Sequence, residues 1–343
     1  MSLIQEIHAQ PQVLKDALLA NHETVMEIAE AAKSASTAFI AARGTSDNAA
    51  RYAKYLWGAH NRLPVMLAAP SLFSLYGEPP RLPGSLVIGI SQSGESPDIV
   101  AVLAEGKRQG CPTLAITNAP DSPLAQAADF VLDIRAGVEK AVAATKTYTA
   151  QLLAIAMLSA AMQGDKHRYA ELQKLPEWTA KVLELDDYIA NSALRYRYMQ
   201  HCSVLGRGYN YATAFEWSLK LKELTYVVAE PYSSADFKHG PIAMVGGGFP
   251  VFVVAPGGAV FEDMLGLVRQ LRDEHDAELM VISDQQQALE LADTPVELPA
   301  GIPEWLSPMV TIVPAQLFSY HLTRIKGYDT ETPRGLKKVT RTH

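Results

Sequence analysis

The sequence predicts an α/β protein made of two tandem domains, each a parallel sheet flanked by helices in a doubly wound, three-layer sandwich. Two observations predict it. Short β-branched runs alternate with helical segments along the chain, the pattern of parallel strands joined by helical crossovers. The pattern also occurs twice. "HCSVLGRGYNYA" repeats "TAFIAARGTSDNA", with Gly208 opposite Gly44, 164 positions on. "PVFVVAPGG" repeats "LVIGISQSG", with Ala255 opposite Ser91 at the same offset of 164. "LMVISD" repeats "TLAITN", with Ser283 opposite Thr117 at an offset of 166. A chain of 343 residues has room for two such cores.

In the first copy, buried strands are expected at Thr37–Arg43, Ser85–Ser91, Pro112–Asn118 and Phe130–Ile134. Helices are expected at Asp47–Gly58 and Pro97–Gln109. The expected organisation is an N-terminal helical segment over 1–35, a first domain over 36–162 and a charged helical linker over 163–198. A second domain over 199–330 and a C-terminal tail over 331–343 follow.

Apolar residues make up 48% and charged residues 20%, which suits a soluble globular protein. A net charge of −7 argues against nucleic-acid binding, which calls for a basic face. The two cysteines, Cys111 and Cys202, stand in apolar, strand-like contexts and read as buried thiols in a reducing compartment. The N-terminus lacks a signal-peptide core and no apolar run reaches membrane-spanning length, so a cytoplasmic protein with no membrane partner is expected.

The stretch "SQSGESPD" follows the strand Ser85–Ser91. In open α/β sheets ligands bind beyond the carboxyl ends of the strands, where a loop feeding a helix offers unpaired N–H groups and the positive end of the helix dipole. Ser91, Gln92, Ser93 and Ser96 add neutral donors, and Gly94 permits close backbone approach. A helix cap at Ser96 before Pro97 would need one hydroxyl, whereas three stand here with an amide. Phosphate binding is therefore expected, with Thr45 and Ser46 of "RGTSDN" reaching the same pocket. The second copy reads "APGGAV" at this position, so one phosphate pocket per chain is expected. Neither "ARGTSD" nor "GRGYNY" completes the G-x-G-x-x-G dinucleotide fingerprint.

The segment Ala212–Val228 reads as one helix with Glu216, Lys220 and Glu223 in a narrow sector, bordered by Phe215 and Leu219 on one side and Trp217 and Leu224 on the other. It is either a solvated face with a Glu–Lys pair or a walled-in stripe in which ionisable groups acquire shifted pKa values. His239, in Lys238-His239-Gly240-Pro241, is expected on a loop or turn. The tail "TETPRGLKKVTRTH" reads from composition as a solvated basic segment. No metal-ligand spacing appears in the sequence.

Taken together, "RGTSDNA", "SQSGESPD", "AVAATKTYTAQL", "LGRGYNYATAFEWSLKLKE", "AEPYSSADFKHGPIAM", "PVFVVAP" and "IKGYDTETPRGLKKVT" resemble, in order, the paired sugar isomerase (SIS) domains that form the isomerase half of glucosamine-6-phosphate synthase. The resemblance implies a flavodoxin-like fold in each domain. It implies that Ser46, Ser91, Gln92, Ser93 and Ser96 hold the phosphate of a hexose 6-phosphate or amino-hexose 6-phosphate, and that Val142 and Ala143 contact the sugar through their backbone. Glu223 would move a proton between C1 and C2, with Lys220 steadying charge on the enolamine oxygen. His239 would open the ring from across a homodimer interface, in shared active sites, with Glu216 orienting it. Lys338 would form an imine with the ketose, against the compositional reading of the tail. No cofactor or metal is implied. Ser96 stands where the synthases usually carry threonine, and Lys140 and Ala144 also depart from their usual residues.

The chain begins Met1-Ser2-Leu3, with roughly 35 residues before the first strand where the synthase has a glutaminase domain. Ammonia release from glucosamine 6-phosphate, yielding fructose 6-phosphate, is therefore the expected reaction. The alternatives are deglycation of a fructosamine 6-phosphate such as fructoselysine 6-phosphate, and a non-catalytic phosphosugar sensor.

Overall fold

The structure, a computed structural model, describes residues 1–338, so residues 339–343 of the expected tail lie outside the described residues. The chain divides into two compact units. One comprises Ala9–Lys140, Ala144–Pro176 and the chain from Lys337; the other comprises Met1–His8, Ala141–Ala143 and Glu177–Leu336.

The first of these units holds β1 (Thr37–Ala42), β2 (Val65–Leu67), β3 (Ser85–Ser91), β4 (Thr113–Thr117) and β5 (Phe130–Asp133). They form one parallel sheet in the order β2-β1-β3-β4-β5. Near-continuous apolar strands such as "SLVIGIS" are what a sheet covered on both faces requires, and every residue of β3 is buried. On one face Phe39, Ala41, Val87 and Ala115 pack against Ile99, Val102 and Leu103 of the helix Pro97–Arg108. The helix Lys146–Gln163 is buried from Lys146 to Ala161, as expected of a helix apolar on all sides.

The other unit repeats the plan with β6 (His201–Gly206), β7 (Val228–Ser233), β8 (Pro250–Val254), β9 (Glu278–Ser283) and β10 (Thr294–Glu297). All neighbours are parallel, in the order β10-β9-β8-β6-β7. Read from the opposite edge, this is the strand order of the first sheet, so the internal repeat seen in the sequence is a repeat of topology. Its core joins Val251, Val253, Leu279 and Val281 to Met264, Leu265, Val268 and Leu271 of the helix Phe261–Asp273. The edge strands β7 and β10 contain Pro231 and Pro295.

The repeat extends to an irregularity. In the first copy the helix Thr45–Leu56 ends in a π-turn, Trp57–Asn61, closed by left-handed Arg62 at φ 52°. In the second, Tyr211–Lys220 ends in a π-turn, Leu221–Thr225, closed by left-handed Tyr226 at φ 57°. The single helix read over Ala212–Val228 is thereby corrected: the α-helix stops at Lys220, and Val228 opens β7. A π-turn keeps the chain coiled while its hydrogen bonds span one residue more, so the composition of the segment does not mark where the α-helix ends. Among the described residues no helix is long and apolar enough to cross a membrane.

Candidate active site

The strand order of the first sheet reverses between β1 and β3, and such switch points open a crevice at the carboxyl ends of the strands. The two hydroxyl-bearing segments leave the sheet there: Thr45 and Ser46 after β1, and Ser91, Gln92, Ser93 and Ser96 at the end of β3 and beyond it. Arg43 binds the segments together, its Nε donating to Asp98 Oδ2 at 2.9 Å, with Nη2 2.8 Å from the same oxygen. Asp98 is fully buried in the first turn of the helix that follows β3.

Within this loop the Gly94 N–H donates to Ser91 Oγ at 3.1 Å and the Glu95 N–H to Ser93 Oγ at 3.3 Å. Gly94 is left-handed at φ 64°, and a Cβ there would lie 2.0 Å from Ser122 Oγ, so the position requires glycine. Gln151 Nε2 donates to Ser46 Oγ at 3.0 Å, orienting that buried hydroxyl. Ser96 occupies the N-cap, with Pro97 at the start of the helix, yet its side chain makes no capping bond. The capping explanation thus accounts for its backbone but not its hydroxyl. Thr45, Gln92 and Ser93 are half-buried. Neutral hydroxyls at a helix N-terminus form an arrangement that can hold a phosphate.

The equivalent loop of the second copy is differently committed. The Gly257 N–H donates to Asp284 Oδ1 at 2.7 Å and the Ala259 N–H to Glu304 Oε2 at 2.8 Å. Side-chain carboxylates of the same unit thus take up two of its backbone donors.

In that second unit the stripe of three ionisable groups is walled in. Lys220 Nζ lies 2.5 Å from Glu223 Oε2 and 3.4 Å from Glu216 Oε1. Glu216 and Lys220 are buried, whereas the Glu223 side chain keeps 23% exposure. Trp217 stacks on Phe252 beside them, with ring centroids 4.9 Å apart. A buried ammonium shared by two carboxylates, one reaching solvent, can transfer protons at that end while the other carboxylate balances charge.

His239 is exposed at the C-terminal end of the short helix Ser234–Lys238, in agreement with the loop or turn expected. Its neighbour Lys238 binds Asp263 Oδ1 at 3.1 Å, and Arg207 Nη1 binds Asp263 Oδ2 at 3.1 Å. Burial alone would raise the Asp263 pKa. Hydrogen bonds from Ser234 and Lys238 and the charges of Lys238 and Arg207 nevertheless hold it below the usual aspartate value. Val142 is half-buried and Ala143 buried, beside Ala141, whose N–H donates to Glu6 Oε2 at 3.3 Å. Lys338 is not a free tail amine, because its Nζ lies 2.6 Å from Oε2 of the fully buried Glu139.

Sequence reasoning missed Glu139, Arg43, Asp98, Arg207 and Asp263 as site residues. A signal for the last four lay in the repeat: Arg207 is Arg43 shifted by 164, and each arginine clasps an aspartate in the first turn of the helix that follows β3 or β8. Among the described residues no group of three or more His, Cys, Asp or Glu side chains is placed to hold a metal ion.

The sequence profile of the SIS domain matches this chain at residues 32–161 and again at 199–326. The glutamine–fructose-6-phosphate aminotransferase (isomerizing) of Pyrococcus horikoshii is 35% identical over 341 residues, which cover 98% of this chain and 57% of that protein. The chain therefore spans just over half the length of the curated relatives it matches. The C-terminal domain of the glucosamine-fructose-6-phosphate aminotransferase of Francisella tularensis superposes with a TM-score of 0.89 at 31% identity, covering 96% of this chain and 98% of that domain. Glucosamine-6-phosphate deaminase of Thermotoga maritima shares the fold, with a TM-score of 0.81 at 21% identity over the whole of both chains.

Proposed function

Because the chain belongs to the SIS domain family, we propose that it is a phosphosugar isomerase acting on an amino-hexose 6-phosphate, converting glucosamine 6-phosphate and water to fructose 6-phosphate and ammonia. The observation that carries this reading is the Glu216–Lys220–Glu223 chain, a buried ammonium between two carboxylates of which only Glu223 reaches solvent. In this reading the switch-point hydroxyls of the first sheet hold the substrate's phosphate.

In this reading the phosphate is bound by Thr45, Ser46, Ser91, Gln92, Ser93 and Ser96, and the backbone of Val142 and Ala143 steadies the sugar. His239 shuttles a proton between the ring oxygen and O1 to open the ring. Glu223 removes the C2 proton and returns it to C1, while the Lys220 ammonium stabilises negative charge developing on the enolamine oxygen. The ketimine formed at C2 adds water and expels ammonia. Lys338 engages the ketose, as an imine or as a cover. Both cysteines are buried, and burial pushes each thiol's pKa up, so neither supplies a thiolate to cleave an amide.

The exposed position of His239 favours a homodimer in which each site is completed by the neighbouring copy's histidine. Mixing Glu223→Gln protein with His239→Ala protein then restores part of the activity. Continued inactivity after demonstrated subunit exchange counts against sharing.

The deciding assay follows ammonia from a panel of amino-hexose 6-phosphates alongside lysine from fructoselysine 6-phosphate. Ammonia from glucosamine 6-phosphate is expected. Lysine release alone selects the deglycase, and binding without turnover selects the sensor.

A further inference from the structure

We propose that Glu139 is the positioning residue for Lys338: a buried carboxylate, oriented by the start of the helix Lys146–Gln163, that receives the lysine ammonium and seats the chain there.

Glu139 is an acid in an irregular segment, and its side chain is fully removed from solvent. A carboxylate buried without partners is strongly disfavoured, so its contacts reveal how the site is held. Oε1 accepts the N–H groups of Thr145 at 3.0 Å and Thr147 at 3.1 Å. These belong to the N-cap and the first turn of the helix, whose amides have no partner within it. Oε2 accepts the Thr147 hydroxyl at 2.8 Å and the Lys338 ammonium at 2.6 Å. One oxygen is thus fixed by the helix amides, and the other is shared between the Thr147 hydroxyl and the lysine.

This division of labour distinguishes a receptor from a chance ion pair. Glu139 has protein donors on both oxygens without Lys338, so the anion is assembled within its own loop and helix. Burial alone would raise its pKa. The Lys338 charge, the Lys338 hydrogen bond and the threonine amides overcome that and hold it below the usual glutamate value. The Lys338 side chain keeps 23% exposure, so the amine can leave its partner without unfolding the helix. Any attack by this nitrogen on a carbonyl first requires that the pair open and a proton leave.

The proposal stands apart from the reaction proposed above, because it concerns a resting contact that can be read without substrate. The test is reductive methylation of the whole protein with formaldehyde and cyanoborohydride, resolved by lysine through mass spectrometry. Exposed Lys54 and buried Lys146 serve as internal references. In the wild type, Lys338 is expected to label about fivefold more slowly than Lys54. Glu139→Gln brings Lys338 close to the Lys54 rate and leaves Lys146 slow, whereas Glu139→Asp recovers part of the protection. Thr147→Val, which removes one hydroxyl, gives a smaller acceleration and serves if Glu139→Gln does not fold. Wild-type Lys338 labelling as fast as Lys54, or rates at Lys338 unmoved by the variants, overturns the proposal. So does acceleration of Lys338 and Lys146 together, which marks a purely structural role.

Discussion

Lys220 and Glu223 face each other across the junction where an α-helix becomes a π-turn, with the ammonium 2.5 Å from the carboxylate. The lysine belongs to the regular helix and is buried, while the glutamate belongs to the widened turn and reaches solvent. The irregular turn thus gives the carboxylate a backbone setting separate from that of its partner.

Glu223→Gln is expected to lower turnover about 10³-fold while leaving the apparent affinity for the sugar phosphate within about twofold, as loss of a proton carrier should. Deuterium exchange from solvent into C1 or C2 of the substrate, followed by NMR, checks this. Exchange at the wild-type rate would assign the proton transfer to another group.

Lys220→Met removes the lysine between two carboxylates and leaves Glu216 buried without that charge. Destabilisation of about 3 kcal/mol is expected by denaturant titration. Adding Glu216→Gln to the same chain should recover part of the loss, because a neutral amide is less costly to bury than a carboxylate.

Gly94→Ala places a Cβ 2.0 Å from Ser122 Oγ at a φ of 64°. A loss of about 2–4 kcal/mol in stability is expected, together with weakened binding of phosphorylated sugars. Adding Ser122→Gly relieves the contact and recovers part of the stability but leaves the backbone strain. Thermal unfolding of both variants separates the two contributions.

Burial, with the Arg168 charge in support, pushes the His60 pKa from 6.5 down to about 4, although Asp165 opposes the shift. The unfolded chain therefore takes up this proton near pH 6.5 and the folded chain near 4. The stabilising contribution of neutral His60 is complete above 6.5 and is lost as pH falls toward 4. His60→Asn should flatten the pH dependence of unfolding in that window, and an unchanged slope would assign it to other groups.

Where the fold is dictated by an uninterrupted apolar run, it was legible in the sequence. β3 occupies Ser85–Ser91 as expected, and β1, β4 and β5 end within a residue of their predicted limits. The switch-point hydroxyls were legible because a strand end followed by small polar residues and a proline has few other uses. The edge strands were not. β2 spans Val65–Leu67 alone, and β7 interrupts its pattern with Glu230 and Pro231. Glu139 was invisible for another reason: its meaning comes from donors contributed by a later helix and by the chain's far end. The arginine–aspartate clasps lay between these cases, since each arginine stands in the repeated segment but its aspartate lies 55 or 56 residues further on.

Pro231 and Pro295 place a residue without an N–H in each outermost strand of the second sheet. A newcomer strand laid along either rim would find the hydrogen-bond ladder broken partway. Cross-β growth is thereby discouraged at those margins, and any lasting association of chains there must rely on side-chain complementarity.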